Sequence, residues 1–160
     1  MEAFSPNLQI NNSDILYILE NPWKISEGEW GLQDKNAHHG IASNIQRKLA
    51  LAANDGYLKI WRTPNHEPIA ILGGHKVGEK RYETFFVASK QMEKHALAVS
   101  VDIRKVLQEL TPRYKGCTCC LYSVSEHPNQ IKWFKFLGFT YVPKNNVGNS
   151  RYFEHVYPED

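Results

Sequence analysis

The chain of 160 residues carries 19 lysine and arginine residues against 17 aspartate and glutamate residues, a net charge of +2. Because the charges nearly balance, the net charge gives no reason to expect a nucleic-acid or membrane partner. Such a partner would need a local patch of charge. With 42% hydrophobic and 22% charged residues, the composition is that of a globular protein, and the length suits one domain. We therefore expect a single domain over 1–160.

The first residues contain an acid and lack an apolar run, so we expect no secretion signal. No stretch approaches the roughly 20 apolar residues that span a bilayer, and we expect no membrane partner. Cys117, Cys119 and Cys120 are too closely spaced and odd in number for a disulfide framework, and no second ligand cluster completes a zinc site. They predict a reduced, buried strand in an intracellular protein that holds no metal.

The first third of the chain predicts helices. A short strand is expected over 8–11, followed by a helix capped by Ser13 and Asp14 and ended by Pro22. An aromatic loop over 22–33 precedes a long helix at about 35–54, whose apolar residues recur at helical spacing. The solvent side of this long helix is expected to carry Asn44, Arg47 and Lys48.

The middle of the chain predicts three strands, over 57–61, 68–72 and 82–87. Short polar turns separate them, and the second strand leads into a pair of glycines at 73–74. Consecutive strands joined in this way favour an antiparallel meander.

The last part of the chain alternates helices and strands. An amphipathic helix has its apolar residues at 96, 99, 103, 106 and 110, and an apolar strand over 117–124 is expected to be buried on both faces. A short helix runs from Pro128 to Leu137, and Gly138 ends it before a final hairpin of 139–142 and 152–157. The whole order predicts a fold of the α/β (α+β) class, with helices on both faces of a mixed sheet.

This order resembles the GNAT (Gcn5-related N-acetyltransferase) fold over nearly the whole chain. The most specific local likeness is the segment Ile-Lys-Trp-Phe-Lys-Phe-Leu-Gly-Phe at 131–139, which is similar to the family's late helix ending in Leu-Gly-Phe. The resemblance implies a mixed, mostly antiparallel GNAT-like sheet with acetyl-CoA bound where two strands splay apart. Those strands correspond to 82–87 and 117–124, so Phe86, Val87 and Ala88 are expected to contact the cofactor.

The family's cofactor loop has the pattern Gln/Arg-x-x-Gly-x-Gly/Ala, whose backbone N–H groups bind the pyrophosphate. The corresponding residues here lie at 89–96, where Gln91 and Ala96 match the two ends of the pattern. Lys94 stands where the first glycine is expected, and His95 precedes the final small residue. Lys90 and Lys94 are candidates for pairing with phosphate, but the missing glycine makes close approach of the backbone harder.

The late helix departs from the family at a second point. Many members carry a tyrosine four residues before the glycine as general acid, and Phe134 stands there in this chain. Phenylalanine cannot transfer a proton. The asparagine often found near the start of this helix corresponds to His127, a candidate cofactor contact, and Tyr141 and Tyr122 are candidate substitutes for the missing acid.

A further resemblance is to a GNAT-like internal virion protein group of short-tailed bacteriophages, and it covers about 66–157. It rests on Phe-Val-Ala-Ser at 86–89 and Ile-Lys-Trp-Phe-Lys at 131–135, at a similar separation. That group also lacks the late-helix tyrosine and the full glycine loop. The resemblance implies a degenerate acetyl-CoA site and a virion, morphogenesis or host-interaction role, with virion or host proteins as partners, in the host cytoplasm or the virion.

Two alternatives remain open. An active acetyl-CoA-dependent N-acetyltransferase, acting on an amine of a small molecule or protein, would need a base, for which Glu83 and His75 are the candidates. A nucleic-acid binder is the second alternative, and it is suggested by a stretch without acids over 130–151 that mixes basic and aromatic residues. Its basic residues are Lys132, Lys135, Lys144 and Arg151, and its aromatic residues include Trp133, Phe136 and Tyr141.

Overall fold

The computed structural model describes residues 10–25, 27–32 and 34–159. Its strands are β1 (Gly56–Arg62), β2 (Pro68–Gly78), β3 (Arg81–Ala88), β4 (Thr118–Ser123), β5 (Thr140–Tyr141) and β6 (Arg151–Val156). Its helices are α1 (Asn12–Glu20), α2 (Glu27–Trp30), α3 (His38–Asn54), α4 (Met92–Glu109) and α5 (Pro128–Leu137), with 3-10 turns at Lys35–Ala37 and Pro143–Asn145. Within these residues no helix is both long and apolar enough to cross a membrane.

The strands form one sheet in the order β1-β2-β3-β4-β6-β5. The predicted meander of β1, β2 and β3 is confirmed, since both of its pairings are antiparallel. β3 and β4 are parallel, and their ladder joins Arg81 to Thr118, Tyr82 to Cys119 and Glu83 to Cys120. Beyond Glu83 they share no ladder, although β3 continues to Ala88, so the two strands splay apart.

Helices cover both faces of this sheet, which confirms the predicted fold class. On one face α1 and α3 pack over Ile60, Ile71 and Phe85. On the other face α4 and α5 pack over Trp61 and Phe153. The two apolar clusters that result remove these side chains from water and provide the main driving force for folding.

The start of α1 differs from its prediction. The strand expected over 8–11 lies partly outside the described residues, and Asn11 caps the helix instead of extending a strand. The Asn11 side chain accepts a hydrogen bond from the Asp14 N–H at 3.1 Å, and the Asp14 carboxylate accepts one from the Asn11 N–H at 2.9 Å. This reciprocal pair is a capping box, so the cap lies two residues before the predicted Ser13.

β2 is longer than predicted because its two glycines lie inside the strand. A Cβ atom on Gly73 would lie 2.4 Å from the Phe85 ring, and one on Gly74 would lie 2.3 Å from the Tyr57 ring. The glycines therefore make room for aromatic packing, a known use of glycine in strands, and do not form a turn. The chain reverses later, next to Lys80, whose φ is 57°.

The second half follows its prediction more closely, with some differences in which side chains are buried. The apolar side of α4 is shifted from the predicted one, since its buried residues include Met92 and Leu107 while Ala96 is only half-buried. Cys119 and Cys120 are buried as predicted, whereas Tyr122 on β4 is 42% exposed, so that strand is not buried on both faces throughout. Gly138 ends α5 with a φ of 108°, which glycine adopts easily.

Candidate functional site

A cavity of about 270 Å³ lies where β3 and β4 splay apart. The ladder between these strands ends at Glu83, so the residues beyond it on each strand leave a gap that side chains and helices surround. The lining comes from α2, α3, β3, β4 and α5 and comprises Glu29, Trp30, Asn44, Lys48, Glu83, Thr84, Phe85, Phe86, Leu121, Tyr122, Gln130 and Phe134.

Glu83 lines the cavity at the point where the strands part. Its Oε2 lies 3.2 Å from the Lys48 Nζ and 3.7 Å from the His75 Nε2. Burial lowers the pKa of His75, and the positive charge of Lys48 lowers it further. The lowered pKa keeps His75 neutral at pH 7, and the Lys48 Nζ is the nearer of the two nitrogen atoms to the Glu83 carboxylate.

α2 bridges the two splayed strands. The Trp30 Nε1 donates a hydrogen bond to the Phe86 carbonyl oxygen of β3 at 2.9 Å. The neighbouring Glu29 carboxylate accepts one from the Ser123 hydroxyl of β4 at 2.5 Å and one from the Val124 N–H at 2.7 Å. The side chains of Glu29 and Trp30 thus bond to polar groups of β4 and β3 that have no partner strand at the gap.

The backbone N–H groups of the turn between β3 and α4 all donate hydrogen bonds within the protein. The N–H of Ser89 donates to Ile69 and that of Lys90 to Asn21. The N–H of Gln91 donates to the Ser89 hydroxyl at 3.1 Å, and those of the next three residues donate to carbonyl oxygens of 89–91. Every amide from 89 to 94 therefore has an acceptor within the protein.

Aromatic side chains fill the α4–α5 face beside the splayed strands. Trp133 donates a hydrogen bond from its Nε1 to the Ser100 hydroxyl at 2.7 Å, and its ring centroid lies 4.8 Å from that of Phe86. Trp23 contacts both rings, at 6.0 and 6.4 Å. Phe134, one residue on, lies 4.9 Å from Phe153 and reaches the cavity.

The structure brings some of the predicted site residues together. Glu83, Phe86 and Phe134 line the cavity, and His75 lies behind Glu83. Tyr122, one of the two candidate substitutes for the missing acid, also lines it. The other predicted residues of β3, at 87 and 88, are buried in the strand.

Other predicted residues lie away from this cavity. Tyr141 is on β5, where its ring packs on Phe153 and its hydroxyl accepts a hydrogen bond from Asn146. His127 caps α5, because its Nδ1 accepts a hydrogen bond from the Asn129 N–H at 3.1 Å. Lys90 and Gln91 lie in the turn after β3, and Lys94, His95 and Ala96 lie in α4, outside the cavity lining.

The residues proposed for nucleic-acid stacking have partners within the protein. Trp133 and Tyr141 pack against Phe86 and Phe153 respectively. Phe136 has Arg104 over its ring, 5.2 Å from the centroid. Lys132, Lys135 and Lys144 are exposed and Arg151 is half-buried, which is the ordinary placement of surface charge.

The sequence prediction missed several lining residues. Asn44 and Lys48 were predicted to lie on the solvent side of α3, but both line the cavity because this side of the helix faces the gap between the strands. Glu29 and Trp30 lie in a segment predicted to be a loop. Nothing in the sequence around Gln130 indicates a site residue, apart from its place near the start of α5.

Comparison with known proteins gives a likeness of structure only. No protein-family model and no curated protein sequence matches the chain. An acetyltransferase from Streptococcus agalactiae has 10% sequence identity and a TM-score of 0.69, with 98% of this chain and 99% of that chain covered. The PaiA N-acetyltransferase of Thermoplasma acidophilum, solved in complex with coenzyme A, has 11% identity and a TM-score of 0.63 over 96% of this chain and 99% of that one.

A GNAT superfamily phosphinothricin acetyltransferase from Sinorhizobium meliloti, solved in complex with AcCoA, gives the same result. It has 12% identity and a TM-score of 0.63 over 98% of this chain and 90% of that chain. Together with the mixed six-stranded sheet and its splayed strands, these matches show that the chain has the GNAT acetyltransferase fold.

Proposed function

We propose that the chain is a single GNAT-like domain of phage type with a degenerate acetyl-CoA site, and that it acts by binding other proteins. The observation that carries the proposal is the turn after β3, in which each amide from 89 to 94 already has an acceptor within the protein. A pyrophosphate is bound through free backbone N–H groups at such a turn. The residues present therefore do not fit the cofactor's phosphates.

The side chains around this turn hold it in its closed form. The Ser89 hydroxyl donates to the Pro68 carbonyl oxygen at 2.6 Å while it accepts from the Gln91 N–H. Met92, the first residue of α4, has an exposed fraction of 0% and anchors the helix start in the core. Opening the turn for a phosphate would break these contacts, and without the family's first glycine the backbone has little freedom to compensate.

Bulky rings support the same proposal on the α4–α5 face. Trp133 fits between Ser100 of α4 and Phe86 of β3, the strand that the resemblance assigns to cofactor contact. Phe134 stands where the resemblance places a general acid, and its ring has no proton to give. Apolar side chains thus fill the space between α4, α5 and β3, beside the cavity, and Phe134 supplies no hydroxyl at the position of the family's general acid.

The phage-type role is supported by the resemblance over about 66–157. Its two segments, 86–89 and 131–135, supply the rings of Phe86 and Trp133 that meet beside β3. A GNAT fold kept for assembly or host interaction needs no cofactor. The virion role is tested by mass spectrometry of purified particles of a phage whose genome carries this sequence, and we expect the chain in the particles. If the chain is absent from the particles and also from complexes with host proteins, the proposed phage-type role is contradicted.

The active acetyltransferase is a second candidate because of the cavity itself. A space of about 270 Å³ beside a carboxylate at the point of splay is the arrangement that an acyl acceptor and its base would need. Against this, the Glu83 carboxylate is already paired with Lys48 at 3.2 Å. We therefore favour the binding function.

An acetyl-transfer assay separates the two candidates. Release of free thiol from acetyl-CoA is measured with a panel of small amines and peptides carrying free amino groups. We expect no release above the rate without protein, and no difference between the wild type, Glu83→Gln and the control Glu154→Gln, which lies outside the cavity. Saturable release that falls at least tenfold in Glu83→Gln alone would establish the acetyltransferase instead.

A further inference from the structure

The outer side of α4 carries an apolar strip that stays exposed among the described residues. Leu97 is 78% exposed, and Val101, one turn later, is 39% exposed. Phe136 of the neighbouring helix α5 extends the strip, because Arg104 of α4 lies over its ring, 5.2 Å from the centroid. Single exposed apolar side chains are ordinary on a protein surface, but three on adjoining helix turns form a patch that indicates an interaction site.

The outer side of α4 also has the spacing of a coiled-coil seam. Its seam residues lie three and four positions apart in alternation, and they are Lys94, Leu97, Val101, Arg104 and Gln108. They lie opposite the buried side of the helix, which carries Val99 and Ile103. Leucine and valine at alternate seam positions favour two-stranded packing, so this surface suits one partner helix.

The charges along the seam indicate what that partner helix carries. Lys94 and Arg104 stand at either end of the two apolar residues, and both are exposed. Lys105 is a third exposed base at the border of the seam, and Glu93 is the one exposed acid there, so the formal sum is +2. In either direction, a second copy of α4 would set Lys94 and Arg104 against the same two bases, which disfavours self-association.

The acids and bases near the seam leave this positive charge in place. Asp102 of α4 is turned away from the seam, since its carboxylate accepts a hydrogen bond from the Trp61 Nε1 at 2.6 Å and lies 3.7 Å from the Lys59 Nζ. The neighbouring helix α5 has two lysines and no acid. An acidic partner therefore complements this side of the molecule.

We propose that the outer side of α4 docks an acidic amphipathic helix of another protein, with Leu97 and Val101 packed in the seam between the two helices. The long side chains of Lys94 and Arg104 extend from the seam to carboxylates at the edges of the partner helix. The inference rests on the proposed function, because a chain that acts by binding proteins needs a docking surface. Nucleic acid is a poorer fit, since a phosphate backbone offers the central aliphatic side chains nothing to pack on.

The test is an NMR titration of the isotope-labelled full chain with synthetic helical peptides of about four heptads. The acidic peptide has leucine at its seam positions and glutamate beside them. The basic peptide has lysine in place of glutamate, and the small peptide has alanine in place of leucine. We expect saturable shifts along α4 with the acidic peptide, and binding roughly tenfold weaker or less for the other two. Absence of saturable shifts, or equal binding of either other peptide, would overturn the proposal.

Two further outcomes would assign the surface to a different occupant. Tighter binding of a duplex DNA than of the acidic peptide at the same residues would assign it to nucleic acid. Sedimentation is expected to show a monomer, and a dimer that Leu97→Ser dissociates would assign the surface to a second copy of this chain. Either outcome would overturn the acidic helix as the partner.

The variant Leu97→Ser separates docking from folding. Because Leu97 is 78% exposed, we expect the melting temperature to match that of the control Leu16→Ser, which makes the same change at a 52% exposed leucine of α1. Binding of the acidic peptide should be roughly tenfold weaker in Leu97→Ser and unaltered in the control. Unchanged binding in Leu97→Ser, or an equal loss in both variants, would overturn the proposal.

The variant Lys94→Glu tests the charge. Lys94 is the third residue of α4, where an acid is favourable for the helix. We expect the acidic peptide to bind roughly threefold more weakly and the basic peptide roughly threefold more tightly, and an unchanged preference would contradict the pairing. These titrations contain no acetyl-CoA, so their failure is distinct from micromolar acetyl-CoA binding, which would overturn the proposed function.

Discussion

Replacing Arg62 by methionine is expected to lower the free energy of unfolding by about 3–5 kcal/mol, because it leaves a buried carboxylate without its cation. Arg62 on β1 is 7% exposed, and Asp14 on α1 is 4% exposed. The guanidinium donates to both carboxylate oxygens, with the Arg62 Nη2 at 2.7 Å from the Asp14 Oδ2. This pair joins the first helix to the edge of the sheet, so its loss weakens both.

Urea unfolding followed by circular dichroism measures this change. The matched control is Arg47→Met, since Arg47 lies exposed on α3 and bonds only to a neighbouring side chain among the described contacts, Asn44. We expect that control to shift stability by no more than about 0.5 kcal/mol. Equal losses in the two variants would contradict the importance of the buried pair.

Replacing Gly56 by alanine is expected to cost about 3 kcal/mol or more, or to prevent folding, because the added methyl group has no space. Its Cβ would lie 1.8 Å from the Gly74 carbonyl oxygen and 3.2 Å from the Ala52 carbonyl oxygen. Both are backbone atoms held by the β1–β2 pairing and by α3, so neither can move aside cheaply. The methyl group would force β1 away from β2 at its first residue.

The matched control is Gly40→Ala in α3. A Cβ there meets no atom within 4 Å. We expect this variant to gain about 0.5–1 kcal/mol, because alanine loses less backbone entropy than glycine in a helix. Soluble yield and thermal melts of the two variants check the contrast, and a Gly56→Ala protein as stable as the wild type would contradict the close approach of the two strands.

Local signals in the sequence predicted most elements of this fold. The helix ending at Gly138 is predicted because glycine adopts positive φ easily, and the structure has it there with a φ of 108°. β2 was predicted too short because Gly73 and Gly74 are read locally as a turn. Their actual role depends on the rings of Phe85 and Tyr57, which come from neighbouring strands and leave no trace in local periodicity.

The candidate site was predictable in part. Glu83 and Phe134 were predicted from the resemblance, and both line the cavity. Lys48 was missed because helical periodicity separates apolar from polar faces and cannot tell solvent from a polar cavity. Gln130 was missed because a side chain is recognised as part of a cavity wall only when its whole surrounding is known.

Calorimetric titration of the full chain with acetyl-CoA, and with coenzyme A as its control, tests the proposed degenerate site most directly. With each amide at 89–94 bonded within the protein and Trp133 packed on Phe86, we expect no saturable heat up to on the order of 1 mM ligand, a binding free energy weaker than about −4 kcal/mol. Saturable binding with a micromolar Kd would contradict the account and establish a working cofactor site.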